Sequence, residues 1–307
     1  VHPQANIVAL CDIDENKLKK YGIKYGIKSL YVDAKKMFKE ESLDCVSICT
    51  LADSHLSLIK EASKHKIKGI FLEKPISISL KDAKNIIKIC KKNKIKLQID
   101  HQRRFSPFYQ KIKKLMNDKK IGELQHCSIY YGSGVANTGS HIFDLINYFF
   151  EGIKWVEATQ SKNISNNILD PNINGKFECK NNLVCTIQSF DYDKFSLLEF
   201  DIIGTKGRIK LNLTDSKAEF FIVSGKLGLA YKKLIKKSDI IKKNKDDIVL
   251  GVENLFDSMQ NKTKLLSSGN EGYASLENII AMKLSANKNG KRVELPIKSN
   301  SLKISSK

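Results

Sequence analysis

The sequence predicts two domains: a parallel α/β sheet over residues 1–101, and an α+β domain with a large open, mainly antiparallel sheet over residues 102–307. In the first part, short apolar runs alternate with amphipathic stretches, the rhythm of a parallel sheet covered by helices. In the second part, stretches of alternating polarity follow one another with few helical signals, which is typical of antiparallel strands.

The first domain is predicted to contain four strands and three helices. Apolar runs predict the strands at residues 7–11, 44–49, 69–72 and 95–99. Amphipathic stretches predict helices at residues 15–25 and 54–65, and a third helix behind Ser79-Leu80-Lys81-Asp82, a sequence typical of a capping box.

The second domain is predicted to begin and end with helices around its sheet. Periodicity predicts helices at residues 107–116, 139–150, 251–260 and 271–288. Alternation predicts strands at residues 153–160, 176–190, 195–203, 207–213 and 217–223. Residues 224–248 are rich in lysine and irregular, which predicts a surface excursion.

Charge and composition exclude several classes of function. The formal charge is +20, but only four of the cations are arginines, the residue best suited to phosphate and base recognition, and no nucleic-acid-binding motif occurs. We therefore expect a solvated lysine surface and no nucleic-acid partner. No apolar stretch reaches the roughly 20 residues that span a bilayer, so no membrane partner is expected.

The seven cysteines are scattered, without a Cys-x-x-Cys pair. Their odd number and their positions in apolar runs predict reduced, buried thiols in a cytoplasmic protein. No cluster of residues has the spacing of zinc ligands, so no metal site is expected.

Polar residues follow two of the predicted strands at the carboxyl edge of the first sheet, where open α/β sheets bind ligands. Glu73-Lys74-Pro75 comes directly after the strand at 69–72 and places a carboxylate and an ammonium there. The segment Cys49 to His55 follows the strand at 44–49. Its Asp53 or Ser54 could equally be the N-cap of the next helix, with His55 in the first turn.

Asp12 follows the first strand, where a Rossmann fold binds the adenosine ribose of NAD with an acidic residue, about 20 residues after a glycine-rich loop. No such loop precedes Asp12. We therefore expect the sequence to lack the first strand and its loop, which would lie in the middle of the sheet. A carboxylate there repels a 2′-phosphate and favours NAD over NADP. The alternative is that Asp12 only caps the next helix.

A polar stripe flanks the apolar face of the helix at residues 139–150. His141, Asp144 and Tyr148 recur at helical spacing beside the apolar residues. His141 could reach into a cleft, or it could be a satisfied interface histidine with Asp144 as its partner.

These stretches, in this order, resemble the Gfo/Idh/MocA family (glucose–fructose oxidoreductase, inositol dehydrogenase and rhizopine catabolism), from about residue 5 to Pro296. The matching segments are Ala9 to Asp12, Thr50 to His55, Phe71 to Pro75, Arg103 to Pro107, Ile121 to Leu124, Gly139 to Leu145 and Gly204 to Gly207.

The resemblance implies NAD(P)-dependent hydride transfer at a hydroxyl or keto carbon of a sugar, nucleotide sugar or cyclitol. Lys74 and His141 match the catalytic lysine and the acid/base histidine. Arg103, Asn137 and Asp144 are expected to bind the substrate. The expected cofactor contacts are Asp12, Ile13, Thr50, Leu51, His55, Glu73 and Lys74. A homo-oligomer, dimer or tetramer, is expected through the C-terminal sheet.

One departure from the family pattern concerns the histidine. Inositol dehydrogenase-like members carry an aspartate four residues before it, and this chain has Asn137 there. An amide binds a hydroxyl but is not a base. The alternative function is therefore a catalytically inactive ligand-binding or sensing protein on the same scaffold.

Overall fold

The computed structural model describes residues 5–163, 165, 167–227, 231–242, 246–298 and 300–305. Its first part contains, in chain order, β1 (Ala9–Cys11), α1 (Glu15–Tyr25), β2 (Ser29–Tyr31), α2 (Ala34–Glu40), β3 (Cys45–Ile48), α3 (His55–Ala62), β4 (Gly69–Leu72), α4 (Leu80–Lys92) and β5 (Lys96–Ile99). Local sequence explains two of the helix starts. The Asp14 carboxylate accepts the backbone N–H groups of Asn16 and Lys17 to begin α1, and the Ser79 hydroxyl accepts that of Asp82 in α4.

These strands are parallel but form two separate sheets. β1 pairs with β2, and β3, β4 and β5 pair in that order. No ladder joins β1 to β3 within the described ranges. The expectation of a further strand between them stays a prediction. Sequence reasoning missed β2 and α2, because a strand of three residues and a helix that buries only Met37 and Phe38 leave little periodic signal.

The second part carries the remaining elements. In chain order they are α5 (Pro107–Asn117), β6 (Leu124–Tyr131), α6 (Gly139–Phe150), β7 (Ile153–Gln160), β8 (Ile173–Cys179), β9 (Val184–Ser189), β10 (Glu199–Gly204), β11 (Gly207–Asn212), β12 (Lys217–Leu227), β13 (Tyr231–Ile241), α7 (Asp247–Met259), α8 (Gly269–Ala286) and β14 (Val293–Glu294). A 3₁₀ turn at Gln102–Arg104 precedes α5, and a π-helical turn at Gly134–Thr138 precedes α6.

Across the described residues, the strands of the second part form one sheet in the order β13-β12-β11-β10-β6-β9-β8-β7-β14. Every neighbouring pair is antiparallel except β6 and β9. The prediction of a parallel domain followed by a mainly antiparallel sheet is therefore confirmed.

Two predictions within this sheet were wrong, and one strand was missed. For residues 224–248, the prediction of an irregular excursion is wrong for those that the structure describes, because β13 lies among them and pairs with β12, whereas residues 228–230 and 243–245 lie outside the described residues. Most of β13 is exposed, so lysines occur on both of its faces and hide the alternation. The stretch at 176–190 contains parts of two strands, β8 and β9. The central strand β6 was missed altogether.

The cysteines are all free thiols, as expected. Four of them are buried, but Cys11 and Cys49 are exposed, which corrects the prediction of buried thiols. Cys11 ends β1 and Cys49 follows β3. These two strands belong to separate sheets, and no strand of the described residues joins them. No helix of the described residues is long and apolar enough to cross a bilayer.

Helix α8 connects the two halves of the molecule. It packs against α6 and β7 on one side and against α4 and β5 on the other. Gly272 permits this close approach, because a Cβ at that position would lie 2.8 Å from Cγ1 of Ile99 and 3.1 Å from Cβ of Ile76. The Ser275 hydroxyl donates to the backbone carbonyl of Ser140 at 2.9 Å, which fixes α8 against α6.

We predict that Gly272→Val lowers the free energy of unfolding by about 1–3 kcal/mol, because the added side chain overpacks the contact between α8 and the first sheet. Denaturant unfolding measures this change. The matched control is Asn270→Val at an exposed position of the same helix. Equal stability of the two variants would contradict the packing described for α8.

Candidate active site

Two segments from different halves of the molecule meet at the carboxyl edge of β4. Lys74 follows β4, and its Nζ donates to the Asn137 backbone carbonyl at 3.3 Å and to the Asn137 Oδ1 at 3.4 Å. Asn137 lies in the π-helical turn that leads into α6. The structure therefore joins two of the residues that the sequence analysis had selected separately.

Lys74 lies in a field of mixed charges. Burial lowers its pKa, and the neighbouring Glu73 carboxylate opposes that change. Arg103 adds to the lowering, whereas Asp170 and Asp100 favour the charged amine. The site thus holds an ammonium whose charge is less stabilised than that of a surface lysine.

His141 lies in the first turn of α6, on the wall of the cavity. Its ring nitrogens have no hydrogen-bond partner among the residues that the structure describes. Burial, followed by the charges of Arg103, Lys74 and His101, holds the pKa of His141 well below its ordinary range. The imidazole is therefore neutral at neutral pH and can accept a proton.

Asp170 holds the turn that carries Asn137. Its carboxylate accepts the backbone N–H groups of Ala136 and Asn137, both at 2.8 Å. Gly134 has a φ of +86°, and a Cβ there would lie 2.2 Å from Oδ2 of Asp170, so glycine is needed on both counts. Sequence reasoning missed Asp170, because only the tertiary fold brings it to this turn.

The cavity beside these residues has a volume of about 280 Å³. Arg103, Asn137 and His141 line it, together with residues of the second domain such as Tyr192, Leu197 and Thr214. The latter three lie in loops after β9 and β11. Sequence reasoning could not find them, because loop residues carry no periodic signal.

A second carboxyl group lies beside Glu73. Asp100 follows β5 at the same sheet edge, and burial, with Glu73 next to it, raises the pKa of Asp100 to about 7. Burial also raises the pKa of Glu73. Asp100, coupled to Glu73, therefore titrates near neutral pH. Asp100 could have been predicted, because it follows the strand at 95–99 as Glu73 follows the strand at 69–72.

Asp144 is separated from the other predicted substrate-binding residues. It is buried and does not line the cavity; its Oδ1 lies 2.7 Å from Nε of Arg104 and 2.9 Å from Nδ1 of His101. Burial opposes ionisation of Asp144, but His101 and Arg104 hold its pKa below the ordinary range. Asp144 is thus the partner of His101, not of His141, and can affect a ligand only through its neighbours.

Apart from Glu73 and Lys74, the predicted cofactor residues are one set at the strand ends and the buried His55. The set lies at the carboxyl ends of β1 and β3 and consists of Asp12, Ile13, Thr50 and Leu51. Ile13 is 93% exposed. The Asp12 Oδ1 accepts the backbone N–H of Asp14 at 2.9 Å. Asp14, not Asp12, is the N-cap of α1, so the capping alternative for Asp12 is wrong. The other oxygen of Asp12 has no hydrogen-bond partner within the described ranges and fits a ribose hydroxyl.

His55 differs from these residues because its ring is fully buried. Its Nε2 lies 3.0 Å from the Thr50 carbonyl, and its Nδ1 lies 3.2 Å from the Ile76 carbonyl. His55 therefore fixes the loop after β3 to the segment after Lys74. Ser54 is the N-cap of α3, without a side-chain capping bond.

No group of three or more His, Cys, Asp or Glu side chains is placed to hold a metal ion in the part of the chain that the structure describes.

Comparison with curated proteins finds sugar and cyclitol dehydrogenases. The chain is 30% identical over 175 residues to the D-apiose dehydrogenase of Paraburkholderia graminis, which covers 52% of this chain and 46% of that protein. It is 29% identical over 119 residues to the myo-inositol 2-dehydrogenase of Thermotoga maritima, which covers 39% of this chain and 35% of that protein. The matched stretches thus span less than half the length of these relatives.

Solved structures share the fold over nearly the whole chain. An oxidoreductase from Agrobacterium radiobacter, solved with NAD⁺, L-tartaric acid and magnesium, gives a TM-score of 0.81 at 22% identity, covering 95% of this chain and 92% of that one. The WlbA dehydrogenase from Bordetella pertussis, solved with NADH and UDP-GlcNAcA, gives 0.78 at 17% identity, covering 96% and 92%.

Family models match both parts of the chain. Residues 1–101 match the oxidoreductase family with an NAD-binding Rossmann fold, and residues 109–210 match the GFO/IDH/MocA C-terminal domain. The first match includes Asp12, Glu73 and Lys74, and the second includes Asn137 and His141. The chain therefore belongs to the Gfo/Idh/MocA family of oxidoreductases, with an NAD-binding Rossmann domain as its first part.

Proposed function

We propose that the protein transfers a hydride between nicotinamide and a hydroxyl or keto carbon of a sugar, nucleotide sugar or cyclitol. The observation that carries the proposal is that Lys74, at the carboxyl edge of the NAD-binding sheet, contacts Asn137, which lines one cavity together with His141. The dehydrogenases among the curated relatives support the substrate class.

The proposed roles follow from the charge that develops during alcohol oxidation. Bound NAD⁺ supplies the hydride acceptor. A neutral His141 takes the hydroxyl proton, and the Lys74 ammonium stabilises the oxygen as its negative charge grows. Asn137, held by Asp170, accepts from Nζ of Lys74 and orients the ammonium.

The alternative of a catalytically inactive ligand-binding protein depended on Asn137 in place of an aspartate. In this site the Asn137 amide oxygen accepts a hydrogen bond from Lys74. The amide therefore has a positioning role in an enzyme, and this contact favours the catalytic proposal.

A homo-oligomer through the large sheet is also part of the proposal. Tyr130, Val184 and Ile203 lie on central strands of that sheet, each between 37% and 40% exposed. They project from the face opposite to the buried residues of β6, β9 and β10. The same face also carries polar residues such as Ser128, Thr186 and Gln188. A surface that mixes apolar and polar side chains is typical of a protein–protein contact.

We predict that Lys74→Ala and His141→Ala each lower the turnover of the substrate by at least about 100-fold, because each removes a group that acts on the reacting hydroxyl. Steady-state kinetics with NAD measures this loss. Lys81→Ala, at an exposed position of α4, and His126→Ala, on β6, are the matched controls. Near wild-type turnover in either test variant would refute the assigned roles.

The pH profile separates His141 from the Asp100–Glu73 pair. We expect kcat/KM to show one transition near pH 7 from the pair and another below about 6.5 from His141, with activity rising with pH through both. Asp100→Asn should abolish the transition near pH 7 and keep the lower one. Persistence of the upper transition in this variant would mean that another group titrates there.

The cofactor preference tests Asp12. The carboxylate disfavours a 2′-phosphate, so Asp12→Asn should raise the affinity for NADP relative to NAD by about tenfold or more. Calorimetric titration with both dinucleotides measures the ratio, and Asp33→Asn, at the N-cap of α2, is the control. An unchanged ratio in Asp12→Asn would place the ribose elsewhere.

A further inference from the structure

Arg103 lines the cavity without a carboxylate partner among the described residues. It lies in the 3₁₀ turn after β5, beside Asn137 and His141. Its Nε and Nη1 atoms are buried behind the cavity wall and have no hydrogen-bond partner in the described part of the chain. Burial raises the pKa of the neighbouring Tyr109, which Arg103 opposes, so this hydroxyl is a neutral group that leaves the positive charge uncompensated.

The other three arginines of the chain differ from Arg103 because they have carboxylate partners. Each of the three pairs with a carboxylate at 2.7 Å: Arg104 with Asp144, Arg208 with Asp201, and Arg292 with Glu157. A guanidinium stays charged at physiological pH, and a buried donor without a partner is unfavourable because it has lost its hydrogen bonds to water. Arg103 therefore lacks an anion that the other arginines have.

The protein's own carboxylates near the site are engaged elsewhere. Asp170 accepts two backbone N–H groups, Glu73 and Asp100 lie together beside Lys74, and Asp247 pairs with Lys242. None of them forms an ion pair with Arg103 within the described residues. The missing anion is thus not supplied by any of the elements packed around the cavity.

The cavity wall thus carries a cation without a carboxylate partner. Burial, and then the charge of Arg103, lowers the pKa of His141. Lys74 acts on His141 in the same direction, but Glu73, Asp170 and Asp100 favour the charge of Lys74. A neutral sugar would leave the charge of Arg103 uncompensated, whereas an anionic group would pair with it and reduce the field at His141.

We infer that Arg103 binds an anionic group of the substrate, a carboxylate or a phosphate ester, so that the protein acts on a charged sugar or polyol rather than on a neutral one. The inference rests on the proposed function and narrows its substrate class. One anionic oxygen accepts a guanidinium N–H of Arg103 at the cavity wall, and a second oxygen of the same group or a neighbouring hydroxyl accepts another. The reacting hydroxyl then lies toward Lys74 and His141.

Matched ligands test this inference. Calorimetric titration of the NAD-loaded protein compares D-glucose, D-glucuronate and glucose-6-phosphate, and the corresponding galactose series. We expect one anionic form to bind at least about tenfold tighter than its neutral parent. Preference for the uronate identifies a sugar acid, and preference for the phosphate ester identifies a sugar phosphate.

Arg103→Met should reduce that preference to less than about threefold, because it weakens binding of the anionic form much more than binding of the neutral parent. Arg103→Lys, which keeps the charge but not the planar donors, should retain part of the preference and serves if the Met variant does not fold. In the wild type, the His141 transition in kcat should lie at a higher pH than in kcat/KM, because the bound anion offsets the field of Arg103.

Three outcomes would overturn the inference: equal binding of neutral and anionic forms, equal weakening of both by Arg103→Met, or no binding of any of these sugars. The proposed function has a separate readout, the formation of NADH. Arg103-dependent binding of an anionic sugar without NADH formation would sustain the anion site and refute the dehydrogenase. Oxidation of neutral sugars without a preference for anionic ones would support the dehydrogenase and refute the anion site.

Discussion

The contact between Lys74 and Asn137 is the interaction on which the proposed chemistry depends. Lys74 stands at the edge of a parallel sheet and Asn137 in a turn of another domain, so the contact exists only when both domains are packed together. Two interactions hold this contact: the Asp170 carboxylate fixes the turn that carries Asn137, and α8 packs against elements of both parts of the molecule. The position of Lys74 relative to Asn137 therefore depends on the packing between the two parts of the molecule.

Charge around this contact is divided into two zones. Glu73 and Asp100 lie on one side of Lys74, and Arg103 and His141 lie on the other. The carboxyl groups oppose the lowering of the Lys74 pKa by burial, whereas burial and the neighbouring cations lower the pKa of His141. One environment thus provides both an electrostatic stabiliser and a base near neutral pH, which is the separation of roles that acid–base chemistry requires.

Sequence patterns predicted what depends on local periodicity and strand ends. The bounds of α1 and β4 agree with the structure, and Lys74, His141 and Asn137 come together as neighbours of one site. Features that depend on tertiary contacts were missed: Asp170 acts across the fold, β13 is exposed on both faces, and Asp144 is paired with Arg104 in the interior. The unpaired state of Arg103 likewise appears only when its surroundings are known.

A crystal structure of the protein with NADH and a bound sugar or polyol tests the central claim most directly. The account predicts the nicotinamide ring beside Lys74, and a ligand hydroxyl within about 3 Å of both Nζ of Lys74 and the His141 ring. A nicotinamide or ligand bound away from these two side chains would contradict the claim that they carry the reaction.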